Sequence, residues 1–136
     1  MLGQHVAPLP AGLIGYGTGP VMASADSLNV TLHGHGAHGS RPEAAIDPVV
    51  MAANIVTRLQ GIVAREVPLA QPAVVTVGRL QAGTKDSIIP DTAELGIGIS
   101  TYTPQIRDLV RAAVERIVHA ESAASAAVSE PDRARP

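Results

Sequence analysis

The sequence predicts an α+β domain with two helices on one face of a four-stranded antiparallel sheet, in the order strand, helix, strand, strand, helix, strand. Three observations predict it. Two segments alternate apolar and polar residues with a period of two, the pattern of a half-buried strand. Leu28, Val30 and Leu32 oppose Asn29, Thr31 and His33 in one, and Leu95, Ile97 and Ile99 oppose Glu94, Gly96, Gly98 and Ser100 in the other. Two further segments open with a side-chain acceptor followed by proline, Asp47-Pro48 and Thr103-Pro104, the signature of a helix start. Finally, 136 residues that are 46% hydrophobic suit one core. Without any Phe or Trp, that core has to be a thin layer of Val, Ile, Leu and Ala.

Residues 1–19 are rich in Gly and Pro without lasting periodicity, and read as a short strand or extended lead-in followed by turns. The first alternating strand runs into residues 34–42 (GHGAHGSRP), too rich in glycine for regular structure and therefore read as a loop. After Asp47-Pro48, Ala52, Ile55, Val56, Leu59, Ile62 and Val63 recur at helical spacing, which predicts a helix to about Arg65. Gly61 weakens that helix by roughly 1 kcal/mol relative to Ala unless the site packs closely against something. Residues 73–82 (AVVTVGRLQA) are rich in β-branched side chains and read as the second strand. A turn around 83–86 and the alternating segment 93–101 complete an antiparallel hairpin with a long connection. The second helix places Ile106, Leu109, Val110, Ala113, Val114 and Ile117 on one face. A short edge strand near 126–129 and a loose polar tail end the chain. The pattern is the split βαβ, ferredoxin-like sandwich.

A formal net charge of −2 and a pI near 6.2, with no basic stripe and no aromatic platform, argue against a nucleic-acid partner. Zero cysteines exclude disulfides and thiolate metal sites. No apolar run approaches the ~18 residues of a membrane span, and residues 1–11 lack a signal-peptide pattern, so a soluble, cytoplasmic protein is expected.

Three histidines cluster in residues 32–40 (LHGHGAHGS). His33 and His35 point to the same side of a strand, and imidazoles ligate zinc, copper or nickel. No carboxylate stands near them in sequence to complete a set of ligands, so a solvated strand face is the better reading. His38 lies between glycine-rich flanks, where a side chain is exposed and another backbone or a substrate can approach. It reads either as a surface histidine or as a hydrogen-bond donor to a developing oxyanion. Asp47 reads as a helix cap, Arg65-Glu66 as a solvated helix end, Lys85-Asp86 as turn chemistry, and Pro42 and Pro90 as setting loop direction.

The collinear succession of several phrases carries more than any one of them. Gly19-Pro20-Val21-Met22-Ala23-Ser24, the glycine-rich 34–42 segment around His38, and Ile46-Asp47-Pro48 come first. Val63-Ala64-Arg65-Glu66, Val75-Thr76-Val77-Gly78, Ala82-Gly83-Thr84 and Ile88-Ile89-Pro90-Asp91 follow in order. Together, over about residues 4–131, they resemble the dimerisation (lid) domain of the metallopeptidase family of aminoacylases, carboxypeptidase G and hippurate hydrolase. The nearest resemblance is to the hippurate and indole-acetyl-amino-acid amidohydrolases.

The resemblance implies a domain at 20–131, a lead-in at 1–19 from the edge of a catalytic domain, and a tail at 132–136. It also implies a homodimer, the catalytic domain of a parent chain, and an N-acyl amino acid or related amide as substrate. Two divalent ions (zinc, manganese or cobalt) in the complete enzyme would lower the pKa of the attacking water and polarise the amide carbonyl. Of this chain's residues, His5 in Gln4-His5-Val6-Ala7-Pro8 would be a metal ligand. His38 would cross to the other subunit as the catalytic oxyanion donor. Ser87 and Ser100 stand where family members commonly carry a substrate-binding Asn and Arg. Both departures weaken the binding expected for a free carboxylate, because Ser cannot replace a bidentate guanidinium. The chain alone is expected to be inactive and to hold no ion stably. The competing readings are a stand-alone, non-catalytic ferredoxin-like interaction module and a metal buffer built on His33, His35 and His38.

Overall fold

The structure, a computed structural model, describes residues 5–126 and 128–132. Residues 5–22 are exposed and contain no strand, so from residue 5 onward the lead-in is extended chain and turns. Gly12 and Gly19 take the positive φ those turns require. The architecture beyond them is mixed α and β, with two helices covering a sheet.

Three long antiparallel strands form the centre of the sheet: β1 (Ser24–His33), β3 (Ala73–Ala82) and β5 (Thr92–Thr101), in the order β3-β5-β1. β1 lies against β5 from Ser24 opposite Thr101 to His33 opposite Thr92. The register places Val30 opposite Leu95 and Leu28 opposite Ile97, so the alternation read from the sequence puts one apolar face on each strand. β6 (Val128–Asp132) runs antiparallel along the other side of β1. It begins later than expected, because helix α2 (Pro104–Ala124) runs on until Ala126 breaks it with a φ of 55°. Its last turns stay helical because Val118 and Ser122 are buried, with the Ser122 hydroxyl donating to the Val118 carbonyl at 2.8 Å. Residues 133–136 of the expected polar tail lie outside the described residues.

Helix α1 (Pro48–Arg65) starts where the proline signal placed it. The Asp47 carboxylate accepts from the Val49 and Val50 N–H groups at 2.8 and 3.3 Å. Thr103 caps α2 through the Ile106 N–H at 3.4 Å. Met51, Ala52, Ile55, Leu59 and Ile62 of α1 and Ile106, Val110, Ala113, Val114 and Ile117 of α2 meet Val30, Leu32, Leu95, Ile97 and Ile99 in one core. Met51, four residues before Ile55, shares that face although the sequence reading leaves it out. A Cβ on Gly61 would meet nothing within 4 Å, so packing inside this chain gives no reason for glycine there.

In β3, Gly78 is an extra residue, since the register passes from Val77 opposite Ile97 to Arg79 opposite Gly96. The bulge aims Arg79 across the outer sheet face. There its guanidinium donates to Glu94 at 3.1 Å and to Asn29 Oδ1 at 3.0 Å, over the bare Gly96.

At the start of β1, Asp26 accepts two hydrogen bonds of 2.6 Å from Arg107 of α2, a bidentate pair that ties sheet to helix. Chiefly through those bonds, Arg107 holds the Asp26 carboxyl below its ordinary value of 3.8. Between the lowered folded value and 3.8 the unfolded chain binds more protons, so stability there rises with pH. The contribution is complete above about pH 4 and disappears as pH falls through the folded value. Asp26→Asn is therefore expected to lower stability at pH 7 and to flatten its loss below pH 4, as read from urea midpoints across pH. A slope unchanged by the substitution would contradict the pairing.

Candidate functional site

Beyond the end of β1 the chain does not loop freely. β1 and β5 lie side by side, and each extends into a short companion: β2 (Ala37–His38) follows β1, and β4 (Ile88–Ile89) precedes β5. These pair antiparallel, Ala37 opposite Ile89 and His38 opposite Ile88. The first part of the glycine-rich segment, residues 34–38, is thus strand-like ribbon, while residues 39–42 turn as the composition suggests. In the ribbon glycine serves close approach. A Cβ on Gly34 would collide with the Ile46 carbonyl oxygen, and one on Gly36 would stand 2.8 Å from the Ile89 oxygen. A Cβ on Gly39 would stand 3.2 Å from the Ser87 oxygen.

Hydrogen bonds occupy the space so kept. The Gly34 N–H donates to the Asp91 carbonyl at 2.7 Å, and the Gly36 N–H to the Asp91 carboxylate at 2.8 Å. The Gly39 N–H donates to the Ser87 carbonyl at 2.8 Å. His35 and Ile46 exchange two bonds of 2.9 Å. Asp91 therefore clamps the ribbon through backbone and side chain together. Sequence reasoning does not single it out as a residue, although its place directly after Ile88-Ile89-Pro90 is a signal.

On this ribbon His38 is exposed, and the Arg41 N–H closes a turn onto its carbonyl at 2.8 Å. Its ring Nδ1 lies 2.7 Å from the Ser40 hydroxyl and accepts the Ser40 N–H at 3.2 Å. No hydrogen bond engages Nε2 among the described residues. Ser87 is exposed and lies beside His38 across the ribbon, so these two predicted site residues come together. Ser100 does not join them. It sits near the far end of β5, roughly 26 Å from Thr92 at about 3.3 Å per residue, in a cleft with Ala23, Val74 and Tyr102. His5 is exposed in the lead-in, where its Nδ1 donates to the Val6 carbonyl at 2.6 Å. His33 and His35 are exposed as well. Among the described residues no three His, Cys, Asp or Glu side chains gather as a metal site would require, so the residues present do not fit a resident ion.

No helix among the described residues is long and apolar enough to cross a membrane. Residues 23–126 match the family model described as peptidase dimerisation domain. The chain is 37% identical over 131 residues to the N-acetylcysteine deacetylase of Bacillus subtilis, covering 96% of this chain and 34% of that protein. It is 36% identical over 119 residues to the N-acyl-L-amino acid amidohydrolase of Geobacillus stearothermophilus, covering 87% and 32%. Among solved structures, a dinuclear metal-binding peptidase of Bacillus subtilis superposes with a TM-score of 0.67 at 31% identity, over 92% of this chain and 29% of that one. The chain thus spans about a third of the length of the curated relatives it matches.

Gly34→Ala tests the ribbon directly. The added methyl has no room against the Ile46 carbonyl, so a loss of about 1–3 kcal/mol in unfolding free energy is expected. A denaturant midpoint equal to that of the unsubstituted chain would show that the close approach is not needed.

Proposed function

The chain belongs to the peptidase dimerisation domain family, and on that premise we propose that it is the dimerisation and lid domain of a metal-dependent amidohydrolase acting on N-acyl amino acids or related amides. The domain occupies residues 20–131, and residues 1–19 lead in from the edge of the parent's catalytic domain. The pairing of β6 with β1 supports reading the sheet as that of a four-stranded ferredoxin-like sandwich.

The observation that carries the reading is the presentation of His38. It stands exposed on a ribbon whose backbone is held at every glycine, with one ring nitrogen engaged by Ser40. Such an imidazole would donate from Nε2 to an amide oxygen as negative charge develops on it. Removing a donor of that kind typically costs ~10²–10³ in rate. His38 would act in the neighbouring subunit's reaction centre. His5 would be one metal ligand in the complete enzyme, and its companions would come from the rest of the parent. Ser87 would line the substrate's path beside His38. Ser100, at the other end of the sheet, would meet substrate only on a different surface, so the two serines do not form one carboxylate site within one chain.

The second subunit has a place to dock. β3 is the free edge of the sheet, ten residues long, and α1 lies against it while α2 lies towards β6. The opposite edge is the five-residue β6, whose Pro131 has no N–H to offer a further strand. An open edge is a template for another chain, and two-fold pairing through β3 with α1 beside its mate would close it and cover Gly61. The serines at positions 87 and 100 favour one competing reading, a non-catalytic interaction module, which would also dimerise but make no use of His38. Light scattering at high micromolar concentration is expected to give twice the 13.9 kDa of one chain. A strict monomer there would contradict the dimer.

A further inference from the structure

The atoms around His38 determine which of its ring nitrogens carries the proton. A backbone N–H is a donor under all conditions, so the Ser40 N–H at 3.2 Å requires Nδ1 to be the acceptor. The Ser40 hydroxyl, 2.7 Å from the same nitrogen, then donates to it as well. The reverse arrangement, Nδ1–H donating to the hydroxyl, would face that proton towards the hydrogen of the Ser40 N–H. In the neutral ring the proton therefore sits on Nε2, the nitrogen that no described residue engages. The backbone leaves Ser40 little freedom to release it, since the Gly39 N–H is bound to Ser87 and the Arg41 N–H to His38 itself.

We propose that Ser40 is a positioning residue that locks His38 in the tautomer with its proton on Nε2, so that the ribbon presents a ready N–H donor. This rests on the reading of His38 as the lid's oxyanion donor. It adds why that donor needs no reorganisation when charge develops. An imidazole free to exchange tautomers would offer a lone pair for part of the time, and a lone pair repels an oxyanion.

The test uses the chain as it stands. Long-range proton–nitrogen correlation NMR reads the protonation of each ring nitrogen, and His38→Gln identifies the His38 signals by their loss. The unsubstituted chain is expected to show Nδ1 as the bare acceptor and Nε2 as the protonated nitrogen. Ser40→Ala keeps the backbone donor but removes the hydroxyl. It is expected to raise the share of the Nδ1-protonated form roughly fivefold, the fold-change of one ordinary hydrogen bond, with Ser40→Thr restoring the original ratio. Protonated Nδ1 in the unsubstituted chain, or a ratio indifferent to Ser40→Ala, would overturn the proposal.

A parallel measurement on the parent enzyme separates the two layers of inference. There Ser40→Ala is expected to lower kcat several-fold with KM little changed. If His38→Ala leaves the parent's rate intact, the reading of His38 falls, whatever the tautomer. If His38→Ala abolishes the rate but Ser40→Ala changes neither tautomer nor kcat, only the role of Ser40 falls.

Discussion

The close passage of the chain against itself at Gly34, Gly36 and Gly39 shapes the end of the molecule that carries His38. β1 and β5 are neighbours in the sheet, and β2 and β4 continue them outward. The continuation stays paired only because no side chain intervenes between Gly34 and the Ile46 carbonyl, or between Gly36 and the Ile89 carbonyl and Asp91 carboxylate. Placing His38 at the tip of the two most extensively paired strands gives it a rigid base, which an ordinary loop would lack. Preorganisation of that kind distinguishes a donor that assists a reaction from one that merely contacts a ligand.

Behind the ribbon, the sheet and helices meet through aliphatic side chains and the thioether of Met51. Leu32, Ile55, Leu59, Ile62, Leu95 and Val110 are among the largest fully buried groups, so the two layers lie close, without an aromatic spacer. The polar ties stand at the margins: Asp26 with Arg107 at the start of β1, Ser24 with Thr101 beside it, and Arg79 laid over Gly96 on the outer face. Sheet and helices therefore form one unit, from which the ribbon projects at one end and the β3 edge along one side.

Much of this is legible in the residues. Period-two alternation locates β1 and β5, β-branched composition locates β3 to its bounds, and the two proline starts place both helices. The rest escapes for physical reasons. Residues 34–42 read as a loop because glycine usually marks conformational freedom, and that holds from Gly39 on but not for the ribbon at 34–38. Here, away from positive φ, glycine marks the absence of a Cβ where two backbones touch, which depends on Ile46 and residues 87–91 far along the chain. The bulge at Gly78 escapes because it exists only in the register of β3 against β5, and α2 runs longer than expected because Val118 and the polar Ser122 are also buried. Of the site, His38 is visible from its surroundings and from the family resemblance. The Ser40 contact and the Asp91 clamp emerge only in the folded chain. The resemblance marks Ser87 and Ser100 for substrate, and the sheet places one before β5 and the other near its far end.

A histidine held rigidly outward on a dimerising domain is useful if a second molecule supplies what it acts on. The most direct measurement mixes two parent enzymes that are each inactive: one with His38→Ala and an intact catalytic domain, the other with His38 intact and its metal ligands removed. If His38 serves the neighbouring subunit, the mixed dimers contain one complete reaction centre, and activity returns on mixing. If the mixture exchanges subunits and still stays inactive, the histidine works within its own chain or not at all, and donation across the dimer is contradicted.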